Sequence, residues 1–289
     1  MAAADVVLSD GQADELAACA AELGDLGAIE AAILGRNGLG ARFERWLGLA
    51  GFCSSAKTLW TMHDHFVVRN VPPSEDGVTG LLLAAGFFSV LKSYRGTRIV
   101  KQFRMSPWTT ELSHTLADGH FHTDINTADR PPAATIMQCL LPDPDAPRHG
   151  KLRIVPLKDL LGAIHRTGNA RALRFLTEDD VVMANGSDSE TWSGRIIDGS
   201  AIRFHPETLR AAHRRYGTNP PDLEDCLTLI HEVALSVSRE IDLARGEVLV
   251  VSNRRALHQR SACTVRFRTF PREFESRAVA VLHALEEPR

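Results

Sequence analysis

Apolar positions follow two different rhythms along this chain. Ala13, Leu16, Ala17, Ala20 and Leu23 recur at intervals of three and four behind Ser9-Asp10-Gly11-Gln12, which predicts a capped amphipathic helix. Ile29, Ile33, Leu34, Phe43, Trp46 and Leu47 keep that spacing, but Gly35, Gly38 and Gly40 interrupt it, so two helices and a turn are expected. Beyond residue 60 the apolar residues fall into short runs instead. Residues 66–71 read as a strand stopped by Pro72-Pro73, after which Ser74 caps a helix through Leu81, Leu82 and Leu83. Residues 99–104, 135–141 and 151–155 are further strands, and Pro156 opens a helix carrying Leu157, Leu160, Leu161 and Ile164. Three short strands are expected at 181–183, 195–197 and 201–204, then a long helix from Asp222 to Val237, then strands at 247–251 and 277–282.

Helices therefore come first, and many short strands with one helical insert follow. There is no regular strand–helix alternation and no Gly-rich turn of the dinucleotide type, which argues against a doubly wound parallel sheet. The pattern predicts an α+β chain and allows a distorted jelly roll with helices packed outside. A length of 289 residues, 44% of them hydrophobic, suits a single domain over 1–289. Within it, 1–60 is a helical packing segment and about 60–285 is the core with its insert.

Charge narrows the partners. The 33 basic and 36 acidic residues give a formal charge of −3, so nothing favours nucleic acid or an anionic membrane, and a small molecule is expected instead. Five cysteines without a C-x-x-C pair argue against a disulfide framework and for a reducing cytoplasm. Met1-Ala2-Ala3-Ala4-Asp5 has no basic region ahead of an apolar one, and no apolar run nears the ~18 residues that span a bilayer. Neither export nor anchoring is expected.

The chemistry concentrates in two blocks. Gly119-His120-Phe121-His122-Thr123-Asp124-Ile125-Asn126 packs two imidazoles and a carboxylate into five positions. On an extended strand, side chains two apart share a face, so His122 and Asp124 can converge on one ion. A third donor arrives in residues 246–260, where an apolar strand runs into a polar turn carrying His258. Two histidines and one carboxylate on one face of a metal, with the other face open, is the arrangement of non-heme Fe(II) oxygenases. His120-x-His122-x-Asp124 also resembles the opening of the zinc-hydrolase signature of the metallo-β-lactamase fold, but Ile125 stands where that motif needs its last His.

Both blocks resemble the taurine dioxygenase and clavaminate synthase-like family of Fe(II)/2-oxoglutarate oxygenases. Phe121-His122-Thr123-Asp124, Pro131-Pro132 and the run Met137-Gln138-Cys139-Leu140-Leu141 match its first block, and Gly246 to Arg260 follows its second; the likeness spans about 60–285. The resemblance implies a double-stranded β-helix, Fe(II) on His122, Asp124 and His258, and 2-oxoglutarate and O2 as co-substrates. It implies oxidation of an amino-acid-like or specialised metabolite, by hydroxylation or by desaturation or cyclisation. The retained Asp124 fills the place that related halogenases leave for chloride. An arginine after the distal histidine is expected to bind the far carboxylate of 2-oxoglutarate, with Arg272 as first choice, Arg277 as second, and Arg266 and Arg268 open. Arg104, His114, Asn126, Arg254 and Arg260 lie beside the motifs and are candidates for substrate contacts. The chain departs from the family at Lys151, where a Thr is usual, at Ser252 and at Gln259. Two other readings remain: a zinc-dependent hydrolase using His120, His122 and Asp124, and a binding protein on a jelly-roll frame without catalysis.

Overall fold

The computed structural model describes residues 4–35, 49–185 and 190–288. The N-terminal part runs β1 (Asp5–Val7), α1 (Asp10–Leu23), α2 (Leu26–Leu34), α3 (Leu49–Met62), β2 (His65–Arg69), α4 (Val78–Phe87), β3 (Lys101–Arg104) and β4 (Ala134–Leu141). The middle holds β5 (Leu152–Pro156), α5 (Leu157–Thr167), α6 (Ala170–Thr177), β6 (Asp180–Ala184), β7 (Thr191–Arg195), β8 (Ile197–Asp198), β9 (Ala201–Ile202), α7 (Pro206–Tyr216) and α8 (Leu223–Val237). Strands β10 (Arg239–Ile241), β11 (Val248–Ser252), β12 (Ala256–Arg260), β13 (Val265–Thr269), β14 (Glu273–Ser276) and β15 (Ala278–Ala284) close the chain.

Two sheets carry the architecture. The larger has the order β1-β2-β11-β4-β15-β3, and the smaller β10-β5-β12. Neither closes into a barrel. Alternate residues of the large sheet serve two different cores, which is why β4 and β15 are apolar runs rather than alternating strands. Ala280, Leu282, Ile136 and Leu140 pack outward against α1 to α4, whereas Val279, Val281, Met137 and Leu249 face Leu152, Ile154 and Ile241 of the small sheet. The middle segment has its own core around Leu160, Phe175, Phe204 and Ile230.

Polar groups between the layers are satisfied one by one. Gln138 reaches out from β4 to donate to Thr79 Oγ1 (2.6 Å) and the Gly246 carbonyl (2.9 Å) and to accept from the Gly80 N–H (3.0 Å). A β-carbon on Gly80 would stand 2.7 Å from that amide oxygen, so glycine is required there. Glu30 of α2, fully buried, accepts from the Ile99 and Val100 N–H groups at 2.8 Å each and so ties the N-terminal helices to the sheet.

Several boundaries differ from expectation for identifiable reasons. Helix α1 starts as predicted, with a capping box between Ser9 and Gln12. Ser74 does not cap α4; its Oγ accepts from Gly77 N–H at 3.1 Å in the preceding turn, and Gly77, at φ +94°, starts the helix. Of the expected second helical stretch, α2 ends at Gly35, while Phe43, Trp46 and Leu47 lie outside the described residues. The expected strand at 195–197 is the junction of β7 and β8, and that at 201–204 shrinks to β9. Helices α6 and α7 and the β13–β14 hairpin were not legible, because α6 is only eight residues long and charged residues are interleaved through α7 and the hairpin; α7 buries only Pro206, Thr208, Leu209 and Ala212. No helix among the described residues is long and apolar enough to cross a membrane.

Candidate metal centre

His258 lies within β12 rather than in a turn, antiparallel to β5 with Ile154 opposite. Its backbone continues the ladder on the other side, where His122 forms an isolated bridge: His122 N–H donates to the His258 carbonyl at 3.0 Å and His258 N–H to the His122 carbonyl at 3.1 Å. The two imidazoles therefore sit side by side, 4.4 Å between ring centroids. Beyond His122 the chain is not extended. Asp124 opens a turn in which Ile125 takes φ +52°, and the turn swings the carboxylate back beneath both rings. Asn253 clamps this turn from the β11–β12 connection, accepting from Asp124 N–H at 2.7 Å and donating to the Asp124 carbonyl at 3.0 Å.

One ligand atom each from His122, Asp124 and His258 lies within 4.8 Å of the other two, and these three form the one such group found among the described residues. Their hydrogen bonds suit an ion. His122 Nδ1 faces the His120 carbonyl at 2.7 Å, so in the neutral ring it carries the proton and Nε2 presents a lone pair toward Asp124. The Nε2 atoms of His122 and His258 stand 3.4 and 3.3 Å from the Asp124 oxygens, longer than a charge-assisted hydrogen bond between such groups. His258 Nδ1 is buried without a partner. Two borderline nitrogen donors and one hard oxygen, converging without bonding one another tightly, fit Fe(II).

Asp124 is also held from behind. Its Oδ2 accepts from Thr135 Oγ1 at 2.7 Å and from His283 Nε2 at 3.0 Å, and His283 Nδ1 is hydrogen-bonded to the Tyr94 hydroxyl. Burial pushes the Asp124 pKa up, but His258, His122 and His283 outweigh it and hold the carboxyl well below its usual range. Burial likewise opposes charge on His122, yet the hydrogen bond and charge of Asp124 prevail and raise its pKa, while for His258 burial wins and lowers it.

A cavity of about 470 Å³ opens onto this group, lined by Leu112, Ser113, His120, His122, Asp124, His205 and Arg260 among others. His205, which sequence reasoning missed, stacks edge-on against His122 at 5.0 Å, and burial drives its pKa down to about 3, so it is neutral. His120 turns away toward Glu207, 3.3 Å distant, and takes no place among the three ligands, so the His120, His122, Asp124 set expected of a zinc hydrolase is not assembled.

The arginines separate sharply. Arg272 stands exposed at the tip of the β13–β14 hairpin, away from the metal cavity, and Arg266 and Arg268 are exposed on the same hairpin, each near Glu275. Arg277 is 4% exposed, just ahead of β15, and among the described residues its guanidinium makes no hydrogen bond or ion pair. Gly150, at φ +74°, makes its room: a β-carbon there would lie 3.0 Å from Arg277 Cδ and 2.6 Å from Asp143 Cβ. Burial lowers the Arg277 pKa, with Cys263, Cys139, Arg260 and Asp143 as electrostatic neighbours.

Of the five substrate candidates, only Arg260 lines the metal cavity, and its guanidinium is already bonded to the Thr115 and Ala117 carbonyls at 2.8 and 2.9 Å. Arg104 bonds the Phe274 carbonyl at 3.1 Å, and His114 the Arg104 carbonyl at 3.0 Å. Asn126 is buried on Thr208 and Met183, and Arg254 reaches the Pro131 carbonyl. None of these four lines the metal cavity. Lys151 pairs with Glu240 at 2.6 Å and is not among the residues lining the metal cavity.

A two-sheet frame presenting two histidines and an aspartate to one cavity defines a non-heme metal centre of the facial-triad kind. The chain belongs to the taurine catabolism dioxygenase TauD, TfdA family, whose model matches residues 54–270. No curated protein sequence matches the chain. Among solved structures, it is similar to an asparagine oxygenase in complex with Fe(II), 2S,3S-3-hydroxyasparagine and succinate, with 16% identity, a TM-score of 0.71, and 98% of this chain and 94% of that one covered. It is also similar to the non-heme iron oxygenase OrfP in complex with Fe and α-ketoglutaric acid, at 18% identity and a TM-score of 0.67, covering 98% and 94%. OrfP is also known in complex with succinate and (3R,4R)-dihydroxy-L-Arg, at the same identity and TM-score.

Proposed function

We propose that this protein is an Fe(II)- and 2-oxoglutarate-dependent dioxygenase that hydroxylates an amino acid or a small metabolite carrying one. The convergence of His122, Asp124 and His258 on one cavity carries this reading, with family membership beside it. The two facing sheets are read as a distorted jelly roll forming a single domain, and the five cysteines, all free, suit a cytoplasmic location. The amino-acid substrate class is taken from the hydroxyasparagine and hydroxyarginine ligands of the similar oxygenases.

The chemistry that iron, 2-oxoglutarate and O2 would supply when bound is oxidative decarboxylation of the keto acid to succinate and CO2, with one oxygen atom of O2 entering succinate and the other a C–H bond of the substrate. The protein's part is placement. His122, Asp124 and His258 would hold the ion through three donors on one side, leaving its other side open to the cavity. Arg277 offers a desolvated fork for the distal carboxylate of 2-oxoglutarate, because a buried guanidinium with no hydrogen-bonded anion is costly until one arrives. Neutral His205 and the Arg260 wall bound the space beside the metal where substrate would lie. Asp124 occupies the ligand position with its own negative charge and so disfavours a halide there.

Anaerobic titration of the protein with Fe(II) and 2-oxoglutarate tests the reading through the visible charge-transfer band of the chelate. Absence of that band, or zinc-dependent hydrolysis indifferent to 2-oxoglutarate, rejects it. With substrate, turnover in bromide yields a product heavier by one oxygen and free of bromine.

A further inference from the structure

Asp124 has four lone-pair positions and an unequal set of partners. Oδ2 takes two short hydrogen bonds, from Thr135 and His283, and lies 3.3 Å from His258 Nε2, whereas Oδ1 faces His122 Nε2 at 3.4 Å and has no closer donor. The ionised Asp124 carboxylate can only accept, so the His283 ring proton on that side sits on Nε2 and points at Oδ2, and in the neutral ring Nδ1 accepts from the Tyr94 hydroxyl. Burial raises the Tyr94 pKa and keeps that hydroxyl protonated. Nor is Tyr94 loosely placed. Lys92 N–H donates to the His283 carbonyl at 2.8 Å, Leu91 bridges to Ala284, and the Tyr94–Arg98 turn folds the ring over Lys101 Nζ, 3.8 Å from its centroid. His283 itself is 4% exposed, near the end of β15, where it lies opposite Thr135 of β4.

Resting on the metal reading above, we propose that Tyr94, His283 and Thr135 form a brace that reserves Oδ2 of Asp124 for hydrogen bonding, so that Asp124 gives the metal one oxygen, Oδ1. The count of coordination positions shows why this matters. Three protein atoms leave room for a bidentate keto acid and one further small ligand; a carboxylate binding through both oxygens removes one of those positions. The brace is thus a positioning device that keeps the open face open.

The experiment uses Co(II) alone, then 2-oxoglutarate at saturating Co(II), with wild type, Tyr94→Phe, His283→Ala and His283→Gln, each checked for folding by circular dichroism. Outer-shell partners of metal ligands commonly affect affinity by 10–100-fold, so His283→Ala should weaken Co(II) binding roughly 10–100-fold and Tyr94→Phe roughly tenfold. His283→Gln, which keeps an N–H donor, should recover part of the loss. At saturating metal, 2-oxoglutarate should bind both weakened variants less tightly, because the released Oδ2 competes for its position. Unchanged Co(II) affinity in folded Tyr94→Phe and His283→Ala overturns the brace. Weaker metal binding with undiminished 2-oxoglutarate affinity overturns the reserved oxygen. Should His283→Ala not fold, Tyr94→Phe decides alone, since it removes one hydroxyl from a partly exposed ring. Failure of the wild type to take up Co(II) and 2-oxoglutarate is a different result and brings down the metal reading together with this one.

Discussion

Two cavities in this molecule invite comparison. The larger, about 800 Å³, lies beneath the β13–β14 hairpin and is lined by Arg104, Arg268, Arg272, Asp143 and Phe274 among others; the smaller, about 470 Å³, holds the metal-binding group. Volume and positive charge favour the first. Yet its charges are exposed and paired locally, Arg268 with Glu275 and Arg104 with the Phe274 carbonyl, and exposed pairs of this sort contribute little to affinity. The smaller cavity has desolvated groups whose bonds are incomplete: His258 Nδ1 and His205 Nδ1 lack partners, and the imidazole nitrogens stand off from Asp124. What marks the site is unspent bonding capacity out of water, where each interaction is worth most.

The strongest way to break this comparison is to remove a ligand. His122→Ala, Asp124→Ala and His258→Ala should each abolish iron binding and turnover while the circular dichroism spectrum persists. Near-normal activity in any two would sink the assignment. Next comes the contrast between arginines. Losing one half of a buried charge pair costs ~2–5 kcal/mol, so Arg277→Met should raise the 2-oxoglutarate requirement roughly thirtyfold or more. The same substitution removes a buried unpaired charge and should leave the free protein no less stable, with thermal melting as the check. A smaller effect follows from proton linkage. His122 has its pKa raised in the metal-free protein and must lose its proton to ligate, so metal affinity should climb with pH by at most about tenfold per unit below that pKa and then level off. The same raised pKa makes the His122–Asp124 contact stabilise the metal-free fold below the unfolded histidine value, a contribution lost as pH rises through the folded one. Isothermal titration with Co(II) across pH 6–9 reads the affinity slope, and a flat profile contradicts the assigned proton. The smallest effect belongs to the hairpin: Arg272→Ala should leave the 2-oxoglutarate requirement unchanged, and a thirtyfold rise there would transfer the role from Arg277.

The sequence disclosed the ligands but not their setting. His122, Asp124 and His258 stand in two compact blocks, and the apolar runs of β4, β11 and β15 show that their strands are covered on both faces. Arg272 stands out when positions are counted from His258, but such a count does not register the β13–β14 hairpin, on which Arg272 is exposed while Arg277 behind it is buried. His283 and Tyr94 left no signal, since a histidine in an apolar strand and a tyrosine in a turn acquire meaning only when β15 pairs with β4 and the 91–98 segment folds over its end. His205 was hidden for a related reason, lying just ahead of a helix whose narrow apolar face of Pro206, Leu209 and Ala212 is crowded by charged residues.

The Asn253 clamp bears on how the molecule matures. Its side chain joins Asp124 to the β11–β12 turn across 129 positions of chain, and His122 meets His258 over a comparable span. Contacts that close such long loops form late, because the entropy of closure is spent before the contact repays it. Iron-binding competence should therefore be among the last properties to appear during refolding, after the outer helices and the local hairpin have formed. A nascent chain that has not yet emerged beyond residue 258 would hold two of the three ligands and remain unable to assemble the centre, which protects it from loading metal before the interior can exclude water.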